Sequence, residues 1–363
     1  MLEAILLVGG QGTRLRPLTI NTPKPMLPVA GVPFTVHQIL RARDAGVTRI
    51  VLATSYKAEV FADFLSDSEL GGPDSGIDIV IATEEVPLGT GGAIRYAASF
   101  LTSDAQDPVL IFNGDVLTGL DISELVSHHE RTSSDVTLYL TRVPDPRAFG
   151  LVPTDASGRV TQFLEKPQTP QEIVTDQINA GCYVFTRSVI DEIPEGRPVS
   201  VEREIFPELL AQSRLVSGVV DPGYWLDLGT PLAFVQGSID LVRGIAPSPA
   251  VMNPSDSLLL DGSHVESSAT ISGGTTIGEG AHVGTDSIVS GSVVFDHAII
   301  GSNCEIRNSI IGKGAVIADH CVIEGSVIGD GSRIGAHNEL REGVRVWVDA
   351  VIPELSVRFS ADQ

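Results

Sequence analysis

Hydrophobic residues follow two different patterns along the chain, and the change between them falls near Gly244. Before this point, short apolar runs rich in β-branched residues alternate with longer segments whose apolar residues recur every three or four positions. This alternation predicts βαβ units around a mostly parallel sheet, and therefore an α/β domain. The predicted strands include residues 4–8, 49–53, 77–82 and 108–112, and the predicted helices include residues 36–45, 60–65 and 91–101.

After Gly244 the pattern becomes a repeat of about six residues, which is typical of hexapeptide β-helices. In a parallel β-helix each triangular coil has three short strands, an aliphatic side chain points inward, and glycine or asparagine occupies corners with positive φ. The predicted inward residues are Val265, Ile271, Ile277, Val283, Val289, Ile300, Ile306, Ile311, Val316, Val322, Ile328, Ile334, Leu340 and Val346. Roughly four to five coils of about eighteen residues are expected. A β-sandwich is the alternative, but the sustained period disfavours it.

These patterns divide the chain into four parts. Residues 1–243 form the α/β domain, and residues 244–260 carry three prolines among small and polar residues, which favours a linker. The β-helix is predicted for residues 261–352 and a tail for residues 353–363. The tail and a strand predicted at residues 345–348 are expected to cap the open end of the β-helix.

Charge and composition narrow the possible partners and the compartment. The 363 residues carry a formal net charge of -22, which disfavours binding to nucleic acid or to an anionic membrane through bulk charge. The apolar start of the chain lacks a basic flank and is too short for a signal peptide or a membrane span, so a cytoplasmic protein is expected. Cys182, Cys304 and Cys321 have no paired spacing and are expected to be reduced and buried.

A glycine-rich stretch after the first predicted strand is the most informative part of the sequence. Residues 7–17 read LVGGQGTRLRP, and residues 22–27 read TPKPML. Glycines here let the backbone approach a triphosphate, and Arg14 and Lys24 add positive charge. Three basic residues and one acidic residue lie in residues 1–30, against the acidic trend of the chain. The stretch predicts a phosphate site, and its spacing does not match a P-loop or a common dinucleotide fingerprint.

The same stretch resembles the signature of the sugar-1-phosphate nucleotidyltransferases, G-G-x-G-T-R-L-x-P-L-T followed by P-K-P. Seven further motifs of that family follow in order, at residues 84–92, 112–116, 149–150, 163–167, 178–181, 201–206 and 225–229. The resemblance covers residues 1–243, and a hexapeptide β-helix is a recurring appendage in the family. It implies a Rossmann-like nucleotidyltransferase domain with a mixed, mostly parallel sheet, followed by a left-handed parallel β-helix.

Two aspartates are candidate ligands for Mg²⁺. Asp115 follows an apolar strand, and open α/β sheets bind ligands at the carboxyl ends of their strands. Its carboxylate suits Mg²⁺, which prefers oxygen ligands and keeps phosphates and water in its shell. The family resemblance implies that Asp227 is the second ligand. A turn residue or a helix cap is the alternative for either aspartate.

The resemblance also implies the residues that contact substrates. The nucleotide-binding residues would be Leu7, Gly9, Gly10, Gly12, Thr13, Glu84, Leu88, Gly89 and Gly114. The residues that bind the sugar phosphate would be Gly150, Glu165, Lys166 and Asn179. Without this context, Glu165 and Lys166 would be interpreted as a surface ion pair. Glu202 and Glu204 either shape the sugar pocket or form a solvated or capping face.

Glu84 suggests which base is recognised. Guanine presents two adjacent donors, N1–H and N2–H₂, which one carboxylate accepts together, whereas uracil and thymine present one donor between acceptors and suit an amide better. Relatives that use uridine or thymidine triphosphates tend to carry glutamine at this position. The alternative is that Glu84 and the adjacent Glu85 belong to a solvated loop.

The implied reaction is attack by a sugar 1-phosphate on the α-phosphorus of a nucleoside triphosphate, with pyrophosphate as the leaving group. Lys24 would lie near the α-phosphate, Arg14 would contact the pyrophosphate and Lys166 the sugar phosphate, with Mg²⁺ on the two aspartates. The motifs are most similar to bacterial family members that use GTP and mannose 1-phosphate. Heptose or glucose 1-phosphate, another triphosphate, or a non-catalytic regulatory protein that binds nucleotide sugars remain alternatives.

Histidines in the repeat raise the question of a second activity, because some hexapeptide β-helices are acyltransferases that use a histidine between coils. They are His264, His282, His297, His320 and His337. The repeat is short and lacks the long insertions that build an acyl-CoA pocket, so surface or corner positions are expected for these residues. We expect the β-helix to form a homo-oligomer.

Overall fold

The structure is a computed structural model that describes residues 2–72 and 74–358. The chain folds into two compact units. The first contains the residues up to Gly10 and Gln38–Trp225, and the second contains Gln11–His37 and the chain from Leu226 onward. Each unit is therefore built from separate stretches of sequence. Residues 359–363 of the predicted tail lie outside the described residues.

Within the described residues, thirteen strands and seven α-helices precede the coils. The strands are β1 (Leu2–Leu7), β2 (Pro28–Val29), β3 (Val32–Pro33), β4 (Val47–Thr54), β5 (Asp78–Thr83), β6 (Pro108–Asn113), β7 (Val116–Thr118), β8 (Val136–Arg142), β9 (Gly150–Leu151), β10 (Leu164–Glu165), β11 (Gln177–Thr186), β12 (Val216–Val220) and β13 (Trp225–Asp227). The helices are α1 (Phe34–Asp44), α2 (Ala58–Asp67), α3 (Gly89–Ala97), α4 (Ile122–Thr132), α5 (Arg187–Asp191), α6 (Phe206–Ala211) and α7 (Pro231–Val242). Short 3₁₀ turns occupy Thr13–Leu15, Leu18–Ile20, Lys24–Met26, Glu69–Gly71, Ala98–Phe100 and Pro170–Glu172, and Val201–Ile205 forms a π-turn.

The first unit is built on a mixed sheet in the order β10-β9-β11-β6-β1-β4-β5, with β8 paired to β11 and β12 to β8. The strands β6, β1, β4 and β5 are parallel neighbours, whereas β11 runs antiparallel to β6 and β8. Central strands are apolar on both faces because both faces are covered, and Ile5, Val51 and Ile111 are fully buried. The predicted α/β fold is confirmed, and element ends differ from the predicted ones by a few residues.

A bulge interrupts β11 where its pairing with β8 shifts register between Asn179 and Tyr183. Gly181 lies inside this bulge with φ 76°, which glycine adopts without strain. A β-carbon at Gly181 would also approach Asn113 Nδ2 to 2.8 Å. Bulges often redirect side chains next to active sites, and this one lies opposite the end of β6.

Glu3 explains why β1 begins earlier than the apolar pattern predicts. Its side chain is fully buried in the strand, and its carboxylate accepts hydrogen bonds from Thr102 N–H and Oγ1–H and from Ser103 N–H at 2.7–3.1 Å. Burial alone would raise the pKa of Glu3, but these hydrogen bonds outweigh it and lower the pKa.

Replacing Glu3 by Gln is expected to lower the free energy of unfolding by about 1–3 kcal/mol, because the new amide N–H₂ would face backbone donors. Since the pKa is lower in the folded state, the carboxylate stabilises the fold above its ordinary pKa and loses this effect as the pH falls through the folded value. Denaturant unfolding at pH 7 and at about pH 3 measures both effects. Glu130→Gln, at an exposed site, is the control. Equal stability of the two variants would contradict this account.

The second unit contains the parallel β-helix. Its first sheet is formed by Ser257–Leu259, Thr275–Ile277, Val293–Val294, Ile310–Ile311, Val327–Ile328 and Arg345–Val346, its second by His264–Val265, His282–Val283, Ile299–Ile300, Val316–Ile317, Arg333–Ile334 and Val351–Ile352, and its third by Thr270–Ser272, Ile288–Ser290, Glu305–Arg307, Val322–Glu324 and Glu339–Leu340. The predicted β-helix is confirmed. It has more coils than expected, because the first strand begins inside the segment predicted to be a linker.

Two of the predicted inward positions are wrong by one residue. Val316 and Val322 are only half-buried, and Ile317 and Ile323 fill the interior instead, at 1% and 0% exposure. The reason is the length of the coils. Several hydrogen bonds join equivalent positions of successive coils that are 17 residues apart. Three legs of six residues would need 18, so one leg of such a coil is shorter than six residues.

Polar residues line one interior corner of the β-helix. The groups concerned are Ser287 Oγ–H, Cys304 Sγ–H, Cys321 Sγ–H and Asn338 Nδ2–H, and each donates to a backbone carbonyl about one coil further on. Cys304 and Cys321 thus occupy, in their coils, the same structural position that Ser287 occupies in its coil. All three cysteines of the chain are free and buried, as expected. His320 and His337 immediately precede Cys321 and Asn338 at this same corner, whereas His297 lies at a different corner. All three histidines have positive φ, in the predicted corner role.

Candidate active site

In the first unit, the glycine-rich segment begins at the carboxyl end of β1. Gly114 N–H donates to Leu7 O at 2.8 Å, and a β-carbon at Gly114 would lie only 2.5 Å from that oxygen. A β-carbon at Gly9 would approach Ser55 Oγ to 3.0 Å, whereas Gly10 faces open space. The loops after β1 and β6 therefore pack backbone against backbone, which leaves room for a ligand at this edge of the sheet.

Asp115 follows β6 by two residues and is half-buried. The strand ends at Asn113, whose carbonyl accepts from Gln38 Nε2 at 2.8 Å. This places Asp115 in the turn at the carboxyl end of a central strand, where the sequence predicts it.

Glu84 is largely buried rather than part of a solvated loop, with 8% exposure. Its Oε2 accepts from Leu88 N–H at 3.0 Å, and its own N–H donates to Thr54 O at 2.8 Å. Burial raises the pKa of Glu84, and the Leu88 hydrogen bond opposes this shift. The adjacent Glu85 is exposed. Only Glu84 is therefore held in a fixed position.

The start of α3 is fastened to residues 197–204. Val199 N–H donates to Leu88 O and Val199 O accepts from Gly91 N–H, both at 2.8 Å. Gly89 has φ 70°, and a β-carbon there would lie 2.6 Å from Val199 O. A larger residue at position 89 would push these two segments apart. Packing therefore requires glycine at this position.

Glu204 has a capping role, one of the two alternatives, whereas Glu202 links Ser200 to Thr90 of α3. Glu202 Oε2 accepts from Thr90 Oγ1–H at 2.8 Å and from Ser200 Oγ–H at 2.9 Å. Glu204 Oε1 accepts from Ser200 N–H at 3.0 Å, while Arg203 N–H donates to Ser200 Oγ. This is a reciprocal cap on the π-turn that leads into α6, and it orders the segment beside α3.

The predicted residues of the sugar-phosphate site gather around β9 and β10. Glu165 pairs with Gly150, and a β-carbon at Gly150 would lie 2.9 Å from Glu165 Oε2. Lys166 has φ 51°, and its Nζ lies 3.6 Å from Glu165 Oε1. Lys166 is mostly exposed, which leaves its ammonium accessible to a ligand phosphate.

Asn179 has a structural use in the bulge of β11. Its Nδ2 donates to the hydroxyl of Tyr183 at 2.8 Å, and its Oδ1 accepts from Gly181 N–H at 3.1 Å. Trp225 Nε1–H donates to Ala180 O at 3.0 Å. These bonds hold the bulge, so the side chain of Asn179 is oriented before any ligand arrives.

In the second unit, Gly12 and Lys24 are in close contact. Gly12 has φ 58°, and a β-carbon there would lie 2.8 Å from Lys24 Cβ. Thr19 Oγ1 donates to Gly12 O at 2.9 Å, and Thr13 begins the 3₁₀ turn. Lys24 is 8% exposed, and its Nζ lies 3.9 Å from Asp227 Oδ1. The ammonium of Lys24 is thus held in one place, next to a carboxylate.

Arg14 and Asp227 lie together in the same unit. Arg14 Nη2 lies 4.0 Å from Asp227 Oδ2, and 65% of the Arg14 side chain is exposed. Gly229 packs against both side chains, since a β-carbon there would collide with Arg14 Nη2 and lie 2.7 Å from Asp227 Oδ1. Gly229 belongs to one of the family motifs, but the sequence indicates no role for it, and only the geometry reveals its steric function.

Replacing Gly229 by Ala is expected to lower turnover by about tenfold to a hundredfold, because the methyl group would displace Arg14 and Asp227. Gly229 lies outside the positive-φ region, so alanine adds crowding and no backbone strain. Steady-state kinetics and thermal unfolding measure the two effects. Gly72→Ala, where the nearest atom is Glu69 O at 3.3 Å, is the control. Wild-type turnover in Gly229→Ala would show that this packing is unimportant.

The residues fit a Mg²⁺ ion in their chemistry. Among the described residues, no group of three or more His, Cys, Asp or Glu side chains is arranged as a metal site. Mg²⁺ does not need one, because it binds through one or two carboxylates and takes its other ligands from substrate phosphates and water. Asp115 and Asp227 are donors of this kind.

Two protein families match most of the chain. The model of the nucleotidyl transferase family matches residues 3–243, and the model of the EIF2B subunit epsilon LbH domain matches residues 258–356. The chain belongs to the nucleotidyl transferase family, and its activity is that of a nucleotidyltransferase. Across the described parts of the chain, every helix is too short or too polar to cross a bilayer.

Individual relatives are also similar over much of the chain. The mannose-1-phosphate guanylyltransferase of Mycobacterium tuberculosis is 53% identical over 363 residues, covering 99% of this chain and 98% of that protein. Mannose-1-phosphate guanylyltransferase 1 of Arabidopsis thaliana is 35% identical over 81% of this chain and 78% of that protein. The crystal structure of HddC from Yersinia pseudotuberculosis matches with a TM-score of 0.56 at 28% identity, covering 66% of this chain and 98% of that one. A second structure of HddC, complexed with GMP-PN, has a TM-score of 0.54.

Proposed function

We propose that this chain transfers the guanylyl group of GTP to mannose 1-phosphate, which gives GDP-mannose and pyrophosphate. The observation that carries the proposal is the 53% identity, over nearly the whole chain, to a mannose-1-phosphate guanylyltransferase. The buried Glu84 supports GTP as the donor, because its carboxylate matches the two adjacent N–H groups of guanine.

The reaction needs no covalent nucleophile. A phosphate oxygen of mannose 1-phosphate attacks the α-phosphorus, the bond to the bridging oxygen of the β-phosphate breaks, and pyrophosphate leaves in line. The sugar phosphate is already ionised, so catalysis consists of positioning two anions and neutralising the charge that develops. In this scheme Lys24 contacts the α-phosphate, Arg14 the leaving pyrophosphate and Lys166 the phosphate of the sugar.

Mg²⁺ held by Asp115 and Asp227 would neutralise charge on the triphosphate oxygens. The chain's own groups have separate tasks around it. Lys24 next to Asp227 limits the negative charge of that carboxylate before substrate binds, and the exposed guanidinium of Arg14 is accessible to the outer phosphates. Glu165 accepts hydrogen bonds from sugar hydroxyls, and Gly150 leaves room for that carboxylate.

Replacing Glu84 by Gln is expected to lower kcat/KM for GTP by about tenfold to a hundredfold relative to UTP and dTTP, which corresponds to the loss of one charged hydrogen bond. The glutamine oxygen can still accept from Leu88 N–H, so the loop is retained. Glu85→Gln, at the exposed neighbour, is the matched control. Unchanged base selectivity in Glu84→Gln would reject the role of Glu84.

The decisive test is pyrophosphate release with Mg²⁺, with GTP, UTP, CTP, dTTP and ATP each combined with mannose, glucose and heptose 1-phosphates. GTP with mannose 1-phosphate should lead by tenfold or more. A lead by heptose or glucose 1-phosphate would change the acceptor, and a lead by another triphosphate would remove the guanine assignment. No release from folded protein would favour the regulatory alternative.

The proposed product indicates where the enzyme would act, and the β-helix indicates how it would assemble. GDP-mannose would supply glycan and cell-envelope precursors from the cytoplasm. The β-helix offers repetitive faces on which identical chains can associate, which supports a homo-oligomer. Analytical ultracentrifugation of the full chain, and of a variant with charged residues on one coil face, would test this assembly.

A further inference from the structure

The last coil of the β-helix holds the backbone of the phosphate-binding segment. Arg345 lies on the strand Arg345–Val346, and its Nη1 donates to Arg14 O at 2.8 Å and to Arg16 O at 3.0 Å. All three residues belong to the second unit. One guanidinium nitrogen therefore joins two carbonyls on either side of Leu15.

The sequence explains why these carbonyls need an outside donor. In a 3₁₀ turn the carbonyl of residue 14 would accept from the N–H of residue 17, but residue 17 is proline and has no N–H. Arg16 ends the turn with an extended backbone, at ψ 139°, so the turn does not continue past its carbonyl. Arg345 supplies the donor that the segment itself lacks.

A second contact fastens the other end of the same segment. The side chain of Asn21 hydrogen-bonds the carboxylate of Asp330, and Asp330 Oδ1 also accepts from Lys313 N–H at 2.9 Å. Asp330 and Arg345 lie on neighbouring coils, because Ile328 pairs with Val346. Residues 14–21 are thus held at both ends by neighbouring coils of the β-helix.

We propose that Arg345 is a positioning residue for the nucleotide, and that the β-helix sets the geometry of the phosphate-binding segment through Arg345 and Asp330 as well as any role in assembly. This proposal rests on the proposed function. Arg345 touches no substrate in this scheme. It fixes the backbone that carries Arg14, whose guanidinium faces the leaving pyrophosphate, so its loss acts on the triphosphate and not on the sugar.

The kinetic test compares Arg345→Ala with Arg345→Lys and with Arg333→Ala, an exposed arginine on the same β-helix. Arg345→Ala should lower kcat/KM for GTP by about tenfold to a hundredfold, since small displacements of positioning groups have effects of this size. The KM for mannose 1-phosphate should stay within about twofold, Arg345→Lys should recover part of the loss, and Arg333→Ala should match wild type.

A readout independent of activity separates this proposal from the function on which it rests. Hydrogen exchange of the amides in residues 12–21 should be faster in Arg345→Ala than in wild type and in Arg333→Ala, with thermal unfolding unchanged. If wild type is inactive but exchange is faster in Arg345→Ala, the proposed function is rejected and the positioning role is kept. If Arg345→Ala has the same exchange rates and the same GTP kinetics as Arg333→Ala, the proposal is overturned. It is also overturned if Arg345→Ala loses kcat/KM equally for GTP and for mannose 1-phosphate.

Discussion

Replacing Asp227 by Asn is expected to reduce turnover by at least about 10²–10³-fold, which is the loss measured when one preorganised electrostatic contact is removed from a transition state. The change keeps the size of the side chain and removes one negative charge. In the proposed mechanism that charge holds Mg²⁺ and balances Arg14 and Lys24, which lie 4.0 Å and 3.9 Å from its oxygens. Pyrophosphate release at saturating substrates and a Mg²⁺ titration measure the effect.

The same substitution at Asp115 should give a similar loss of turnover and raise the Mg²⁺ concentration needed for half-maximal activity, because each carboxylate is proposed as a ligand of the same ion. Asp261→Asn, at an exposed site in the first coil of the β-helix, is the control. A loss of turnover in Asp227→Asn with an unchanged Mg²⁺ response would assign Asp227 to positioning Arg14 and Lys24 and remove it from the metal site.

The sequence predicted the strands and the β-helix because these depend on local patterns. Short continuous apolar runs determine β1 and β6, and a missing β-carbon at Gly12 or Gly114 is visible as glycine in the sequence itself. The sequence alone left open whether Glu84 is buried or solvated, because its burial depends on packing that the local sequence does not encode.

Features that depend on distant residues were not predictable. The inward register at Ile317 and Ile323 depends on which leg of a coil is shortened, and the six-residue average hides this. The contact between Arg345 and Arg14 joins residues 331 positions apart, so no spacing rule indicates it. The roles of Gly229 and Glu202 likewise appear only when their neighbours in space are known.

Lys24 has the second large expected effect. Replacing it by Met retains most of its buried length and removes the ammonium 3.9 Å from Asp227 Oδ1. In the proposed mechanism this ammonium faces the α-phosphate, where negative charge develops during attack, so kcat should fall by about 10²–10³-fold. The KM for mannose 1-phosphate should change little, because Lys166 is assigned to that phosphate.

A double-mutant cycle distinguishes a catalytic role of Lys24 from a structural one. If Lys24 and Asp227 act on the same charged centre, Lys24→Met combined with Asp227→Asn should lose much less than the product of the two single losses. Lys57→Met, at a lysine in the first unit, is the control for loss of charge, and thermal unfolding checks the fold. Fully multiplicative losses would mean that the two side chains act independently, and a large drop in stability with near-normal kcat would make Lys24 a packing residue beside Gly12.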